Sequence, residues 1–196
     1  MRVVNFVLLF LLITAVTYAV LVAAERLLAA VQAYRRYRGK MLITCPENKC
    51  PAAVEVAAGS VAVETIVHQP HLHLSMCSRW PEKEGCGQEC LSQIEQSPQD
   101  CLVWNIVHNW YAGKACAYCG KPFSHMEWHD RRPALMNFER KTVQWSEIPA
   151  DKLPEALEAH LPVCWNCHMA ETFRRQHADL VVDRPPATHP PMKKAS

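Results

Sequence analysis

Cys116-Ala117-Tyr118-Cys119 and Cys164-Trp165-Asn166-Cys167 are the residues of this chain best suited to chemistry. A Cys-x-x-Cys turn sets both sulfurs on one side of the backbone, close enough to share a metal ion. Two such turns face to face make a tetrahedral four-thiolate site of the kind zinc prefers, with Zn–S near ~2.3 Å. The two pairs have complementary contexts. Cys119 runs into Gly120-Lys121-Pro122-Phe123, where glycine lets backbone N–H groups turn toward sulfur. Cys167 runs into His168-Met169-Ala170-Glu171 and onward to Arg175, which reads as a helix. The expected metal ligands are therefore Cys116, Cys119, Cys164 and Cys167, with zinc as the default ion.

The second pair carries another chemistry. Cys164 to His168 is also a Cys-x-x-Cys-His run, the attachment signature of a c-type haem. In that alternative Cys164 and Cys167 hold the haem covalently and His168 is the axial ligand. Haem is attached outside the cytoplasm, whereas free thiolates for zinc are kept inside it, so topology bears on the choice.

Six further cysteines precede these pairs: Cys45, Cys50, Cys77, Cys86, Cys90 and Cys101. Cys45 opens a hairpin loop. Cys86 and Cys90 are one helical turn apart, so both thiolates can face one ion. Cys77 lies close in sequence. The expected second metal site is Cys45, Cys77, Cys86 and Cys90, holding zinc or, alternatively, an iron–sulfur cluster. Cys101 sits among apolar residues as a core thiol would, and Cys50 is spare. The plainer reading of the group is buried thiols, or disulfides if the compartment is oxidising. His68, His71 and His73 around Pro70, and His125 with His129, have ligand-like spacing but read first as solvated side chains. No Gly-rich phosphate loop and no Ser/His/Asp arrangement stands out.

The elements that must position these groups begin with an anchor. Val3 to Ala24 is apolar except for Asn5, Thr14 and Thr17, with Tyr18 near its end, and is long enough to span a bilayer, which takes roughly 20 residues. Arg2 precedes it; Arg26, Arg35, Arg36, Arg38 and Lys40 follow, offset in part by Glu25. The positive-inside rule then puts the N-terminus outside and the rest in the cytosol, on a single-pass inner-membrane protein. The competing reading is a signal peptide cleaved near Val22-Ala23-Ala24, although the apolar run exceeds the usual core of roughly 7–15 residues. The basic stretch from Tyr34 to Lys40 suits anionic lipid.

Helical spacing of Leu27, Leu28, Val31, Tyr34 and Tyr37 extends the anchor to a stop at Gly39. A hairpin is expected from Met41–Thr44 and Ala52–Ala58, ending at Gly59, followed by a strand or short helix over Val61–Val67. Residues 76–90 read as loop, Gln88–Glu95 as a short helix, and Asp100–Tyr111 as one amphipathic helix closed by Gly113. A strand over Thr142–Ser146, a helix over Leu153–His160 opened by Pro154 and a helix over Met169–His177 complete the ordered part. From Asp183 the chain is proline-rich and reads as disordered. The domain expectation is 1–40 anchor, 41–112 first cysteine-rich lobe, 113–182 four-cysteine lobe and 183–196 tail, in a small α+β fold stapled by metal. Trp80, Trp104, Trp110, Trp128, Trp145 and Trp165 are expected to fill its small cores. Ten cysteines in 196 residues suit such staples, and a net charge of +2 with mixed signs leaves no footprint for nucleic acid.

Residues 116–175, under a third of the chain, resemble a treble clef. The likeness is carried by the knuckle Cys116 to Phe123, a hairpin through Val143–Trp145 and a helix whose start bears Cys164 and Cys167. It implies a structural zinc on the four cysteines. Treble clefs also underlie HNH-type nucleases, where a histidine after the knuckle, often in a His-x-x-Pro setting, activates water beside a divalent metal. Here His129 to Pro133 is one residue too long, and the asparagine usual before the second pair is absent from Glu155 to Val163. The expected function is a non-catalytic, membrane-anchored zinc-binding scaffold or adaptor that contacts lipid and an unknown protein. The alternatives are a membrane-anchored mono-haem cytochrome in electron transfer and, more weakly, an HNH-like nuclease.

Overall fold

A computed structural model describes residues 2–68, 70–80, 82–83, 85–123 and 132–180. His125, Trp128, His129 and the proline-rich tail lie outside the described residues. The chain is a mixed helix-and-strand protein in two compact units, Met1–Ala112 with Ile148–Glu158, and Gly113–Glu147 with Ala159–Ser196.

The first unit opens on helix α1, Arg2–Tyr37. No glycine or proline interrupts it, and its two threonine hydroxyls are satisfied locally. Thr14 Oγ1 donates to the Leu11 carbonyl at 2.9 Å and Thr17 Oγ1 to that of Ile13 at 3.0 Å, so neither hydroxyl needs water. The helix stops where expected: Arg38 N–H closes the last turn on Tyr34, and Gly39 follows at φ 114°, where a Cβ would be strained. The last turns pack on the unit, burying Ala30 and laying Ala33 and Tyr37 against the core.

Strands β1, Lys40–Thr44, and β2, Pro51–Val56, form the expected antiparallel hairpin, with Met41 opposite Val54 and Ile43 opposite Ala52. Alternation does not continue to Gly59. Instead helix α2, Ala58–Val67, starts at once, so Gly59 lies inside a helix and Val61–Val67 is helical. Helix α2 packs along α1 and buries Ala58 and Val61. Part of the expected loop over 76–90 is strand: β3, Leu74–Cys77, adds to β2 and gives the sheet order β1-β2-β3. Four residues with one buried side chain carry too little alternation to show in the sequence.

The amphipathic stretch before Gly113 is broken. Helix α3, Leu91–Gln96, is followed by α4, Pro98–Cys101, and α5, Val103–Tyr111. Leu102 between the last two is extended, at φ −65° and ψ 121°, because it bridges Met41 at the sheet edge. Helix α5 therefore buries Val103, Val107 and Tyr111 rather than the face through Leu102, Ile106 and Trp110. The core gathers Met41, Ile43, Val54, Val56, Val61, Leu74 and Ile94, and Cys101 joins it as a buried thiol. The turn Ala150–Lys152 packs on β1 and β2, ahead of the helix from Leu153 with buried Leu153 and Leu157.

The second unit is built on three short strands. β4, Ala134–Met136, lies between β5, Thr142–Gln144, and β6, Leu161–Val163, all antiparallel. Of these only β5 is legible beforehand. A turn from Asn137 to Arg140 joins β4 to β5, with Arg140 at φ 61° and the Asn137 side chain accepting from Lys141 N–H at 2.9 Å. Helix α6, Leu153–Ala159, leads into β6, and helix α7, Trp165–Gln176, follows it. Phe123, Ala134, Leu135, Met136, Trp145 and Val163 are buried.

Candidate metal centre

The sulfurs of Cys116, Cys119, Cys164 and Cys167 lie within 4.8 Å of one another. Among the described residues this is the one group of metal-ligating side chains gathered so tightly. Cys116 is buried, Cys119 exposed, and Cys164 and Cys167 half-buried. Contacts with β6 bring the two turns together. β6 lies beside β4 with Val163 opposite Ala134, and Cys164 follows as the residue preceding α7. The first turn is tied to the same strand, because Ala117 N–H donates to the Pro162 carbonyl at 2.9 Å. It closes on itself through Cys116 N–H to Lys121 O, 2.9 Å, and Gly120 N–H to Cys116 O, 2.9 Å, with Gly120 at φ 70°.

The electrostatics favour a thiolate on this turn. Burial opposes ionisation of Cys116, but N–H groups of Cys164, Cys119 and Tyr118 outweigh it and bring the thiol down to about 7. The Cys164 N–H lies 3.3 Å from the Cys116 sulfur. Cys119 and Cys164 have their sulfurs 3.7 Å apart. Burial, reinforced by the three neighbouring sulfurs, pushes Cys167 up, and burial also raises Cys164. Four sulfurs this close repel as thiolates, and a divalent cation among them would relieve that repulsion. The donor set is all sulfur, which suits a soft ion and leaves no place for water in a four-coordinate shell.

His168 is a neighbour of the cluster with its own role. It is 6% exposed, and its Nδ1 lies 2.9 Å from Thr142 Oγ1, itself buried. Burial lowers its pKa, which favours the neutral ring. Arg175 Nη2 donates to the Thr142 carbonyl at 3.3 Å, tying α7 to β5 a second time. Nothing in the spacing marks Thr142 as a partner of His168, since the contact depends on how β5 and α7 pack.

The other expected set behaves differently. Cys45, Cys77, Cys86 and Cys90 do not meet at that spacing, but all four line one cavity of about 340 Å³ in the first unit. Cys90 is pushed up to about 11, by burial and then by the nearby sulfurs of Cys86, Cys77 and Cys45. Cys45 is lowered: burial works against it, but N–H groups of Glu47 and Asn48 and the Arg79 guanidinium prevail. Arg79 Nη1 lies 2.9 Å from the Cys45 sulfur, a contact suggested only in hindsight by its place two residues after Cys77. Cys50 is exposed and Cys101 is buried in the core. His68 and His71 are exposed and His73 half-buried, and none of them belongs to a metal-ligating cluster among the described residues.

One described helix, over Asn5–Tyr37, is long and apolar enough to cross a membrane, a test that a signal sequence also passes. Its apolar side chains from Phe6 to Leu21 are exposed on every face, unlike those of a core helix. Comparison with known proteins finds no match: no family model fits the chain, and no curated protein or solved structure resembles it significantly.

Proposed function

We propose that this protein is a membrane-anchored, non-catalytic zinc-binding scaffold or adaptor. The observation that carries the reading is the convergence of Cys116, Cys119, Cys164 and Cys167 within 4.8 Å. Zinc is the ion whose tetrahedral preference a four-thiolate shell meets, and such a shell is structural because it keeps no open position. The treble-clef likeness agrees with the observed order of knuckle, hairpin and helix bearing the second cysteine pair. Helix α1 supplies the anchor, with the basic flank from Arg26 to Lys40 on the cytosolic side and Arg35, Arg36, Arg38 and Lys40 facing anionic lipid. What remains for the soluble part is to present a surface to a protein partner.

The haem alternative is less well supported by the same geometry. Cys164 and Cys167 face two other sulfurs, and the His168 ring is turned to Thr142. Metal analysis with an absorbance spectrum of the detergent-solubilised protein tests the proposal. Zinc in a colourless protein is expected. A Soret band that survives denaturation and acid–acetone extraction would replace it with the cytochrome reading. A phosphatase fused after Ser196 should be inactive and a fluorescent reporter at the same position bright; an active phosphatase would reverse the orientation.

A further inference from the structure

The loops carrying Cys45 and Cys116 are one turn built twice. In each, the cysteine N–H donates to the carbonyl five residues on: Cys45 to Cys50 and Cys116 to Lys121, both at 2.9 Å. In each, the cysteine carbonyl accepts the N–H four residues on, from Lys49 at 2.8 Å and from Gly120 at 2.9 Å. That fourth residue is left-handed in both, with φ 57° at Lys49 and 70° at Gly120. The N–H groups two and three residues on face the sulfur in both: Glu47 and Asn48 for Cys45, Tyr118 and Cys119 for Cys116. Amides converging on sulfur hold a negative ligand. The difference is one ligand, since Asn48 stands where the other turn has Cys119.

The missing sulfur has replacements nearby. Cys77 at the end of β3, Cys86 in the following loop and Cys90 just before α3 line the cavity over which the Cys45 turn sits. Four thiolates around a divalent ion carry a residual double negative charge. Arg79 and Lys83 line the same cavity, and both also pair with Glu47, so cationic charge is already placed beside the sulfurs. Trp80, Ile43 and Leu74 add apolar surface to the wall, which Glu47 and Glu89 also line, and apolar surroundings strengthen ion–thiolate attraction.

We propose that this cavity is a second metal site, for a soft divalent cation of the zinc class, with Cys45, Cys77, Cys86 and Cys90 as ligands. Its sulfurs surround a space instead of meeting, so the ion must draw them together, which makes this the more exchangeable of the two sites. Binding releases thiol protons to solvent and changes no oxidation state.

Full-length protein in detergent, kept reduced and stripped with a chelator, is titrated with zinc while iodoacetamide labelling of each cysteine is followed by peptide mass spectrometry. About two zinc ions per chain are expected, with Cys45, Cys77, Cys86 and Cys90 protected together and exposed again first on adding chelator. Cys50 should label equally with and without zinc. Cys86→Ser, at an exposed position, should lose one zinc and the protection of Cys45, Cys77 and Cys90 while Cys116 and Cys167 stay protected. The proposal is overturned if Cys45, Cys77, Cys86 and Cys90 label at the same rate with and without zinc, or are joined as disulfides in protein alkylated in the lysate before any reductant is added. Because each cysteine is read separately, failure at Cys116 and Cys167 refutes the zinc scaffold without touching this site.

Discussion

Replacing Cys116 by serine removes the sulfur most deeply buried in the four-cysteine cluster, at 3% exposure, and the one that accepts the Cys164 N–H. The unit around it has strands of three residues and a short roll of buried side chains, Phe123, Leu135, Met136, Trp145 and Val163 chief among them. A core of that size rarely supplies more than ~3–5 kcal/mol, whereas a structural zinc in a small domain contributes an apparent ~10–16 kcal/mol at neutral pH. On the proposed zinc reading, loss of the ion therefore exceeds what the packing can hold, and Cys116→Ser should unfold the second unit. His168→Ala is the comparison. The ring lies outside the four-sulfur set but is buried on Thr142, so its loss leaves that buried hydroxyl with only Arg175 Nη2 at 3.5 Å and should cost about 1–3 kcal/mol. A unit held by metal tolerates that; one held by packing does not. Limited proteolysis of full-length protein in detergent, with hydrogen exchange on the fragments, separates the two. Peptides of β4, β5 and α7 should lose protection in Cys116→Ser and keep most of it in His168→Ala. A protease-resistant Cys116→Ser beside a disrupted His168→Ala would refute the reasoning.

Met41→Ala, at a side chain with no exposed surface in the first core, should destabilise that unit by ~2–5 kcal/mol in a denaturant titration, with zinc content at Cys116 unchanged. Gly120→Ala should cost ~1 kcal/mol through its φ of 70° alone, since no atom lies within 4 Å of the added Cβ, and should weaken zinc retention against a chelator. The pKa of His168 is lowered in the folded state, so the unfolded state binds the proton more readily. Its contribution is complete above the unfolded value of about 6.5 and is lost as pH falls through the folded one. Melting temperatures between pH 7.5 and 5 should therefore fall more steeply for wild type than for His168→Gln; parallel slopes would show that the ring is already free to protonate.

The features legible in the sequence are those that local rules govern. The apolar run of α1 needs no partner to be read, and neither does its end, because only a glycine takes φ 114° without strain. The β1–β2 hairpin shows in its alternation and the paired cysteines in their spacing. Tertiary structure decided the rest. Leu102 leaves the helical pattern because the edge of β1 offers Met41 a bridge, which breaks one expected helix into α4 and α5. Strands β3, β4 and β6 are too short to carry a period and exist only through their neighbours in the sheets. Residues Ile148–Glu158 return to the first unit because Ala150–Lys152 packs on β1 and β2, a contact between positions about a hundred residues apart that no local pattern encodes. The cysteines show the same division. Their spacing alone nominated both sets of four, but docking of the Cys116 turn on β6, through Ala117 N–H to the Pro162 carbonyl, is what draws Cys116, Cys119, Cys164 and Cys167 together, while Cys45, Cys77, Cys86 and Cys90 stand around a cavity that Arg79 and Trp80 also line. Side-chain type is written residue by residue, but distance between sulfurs is set by how whole elements pack.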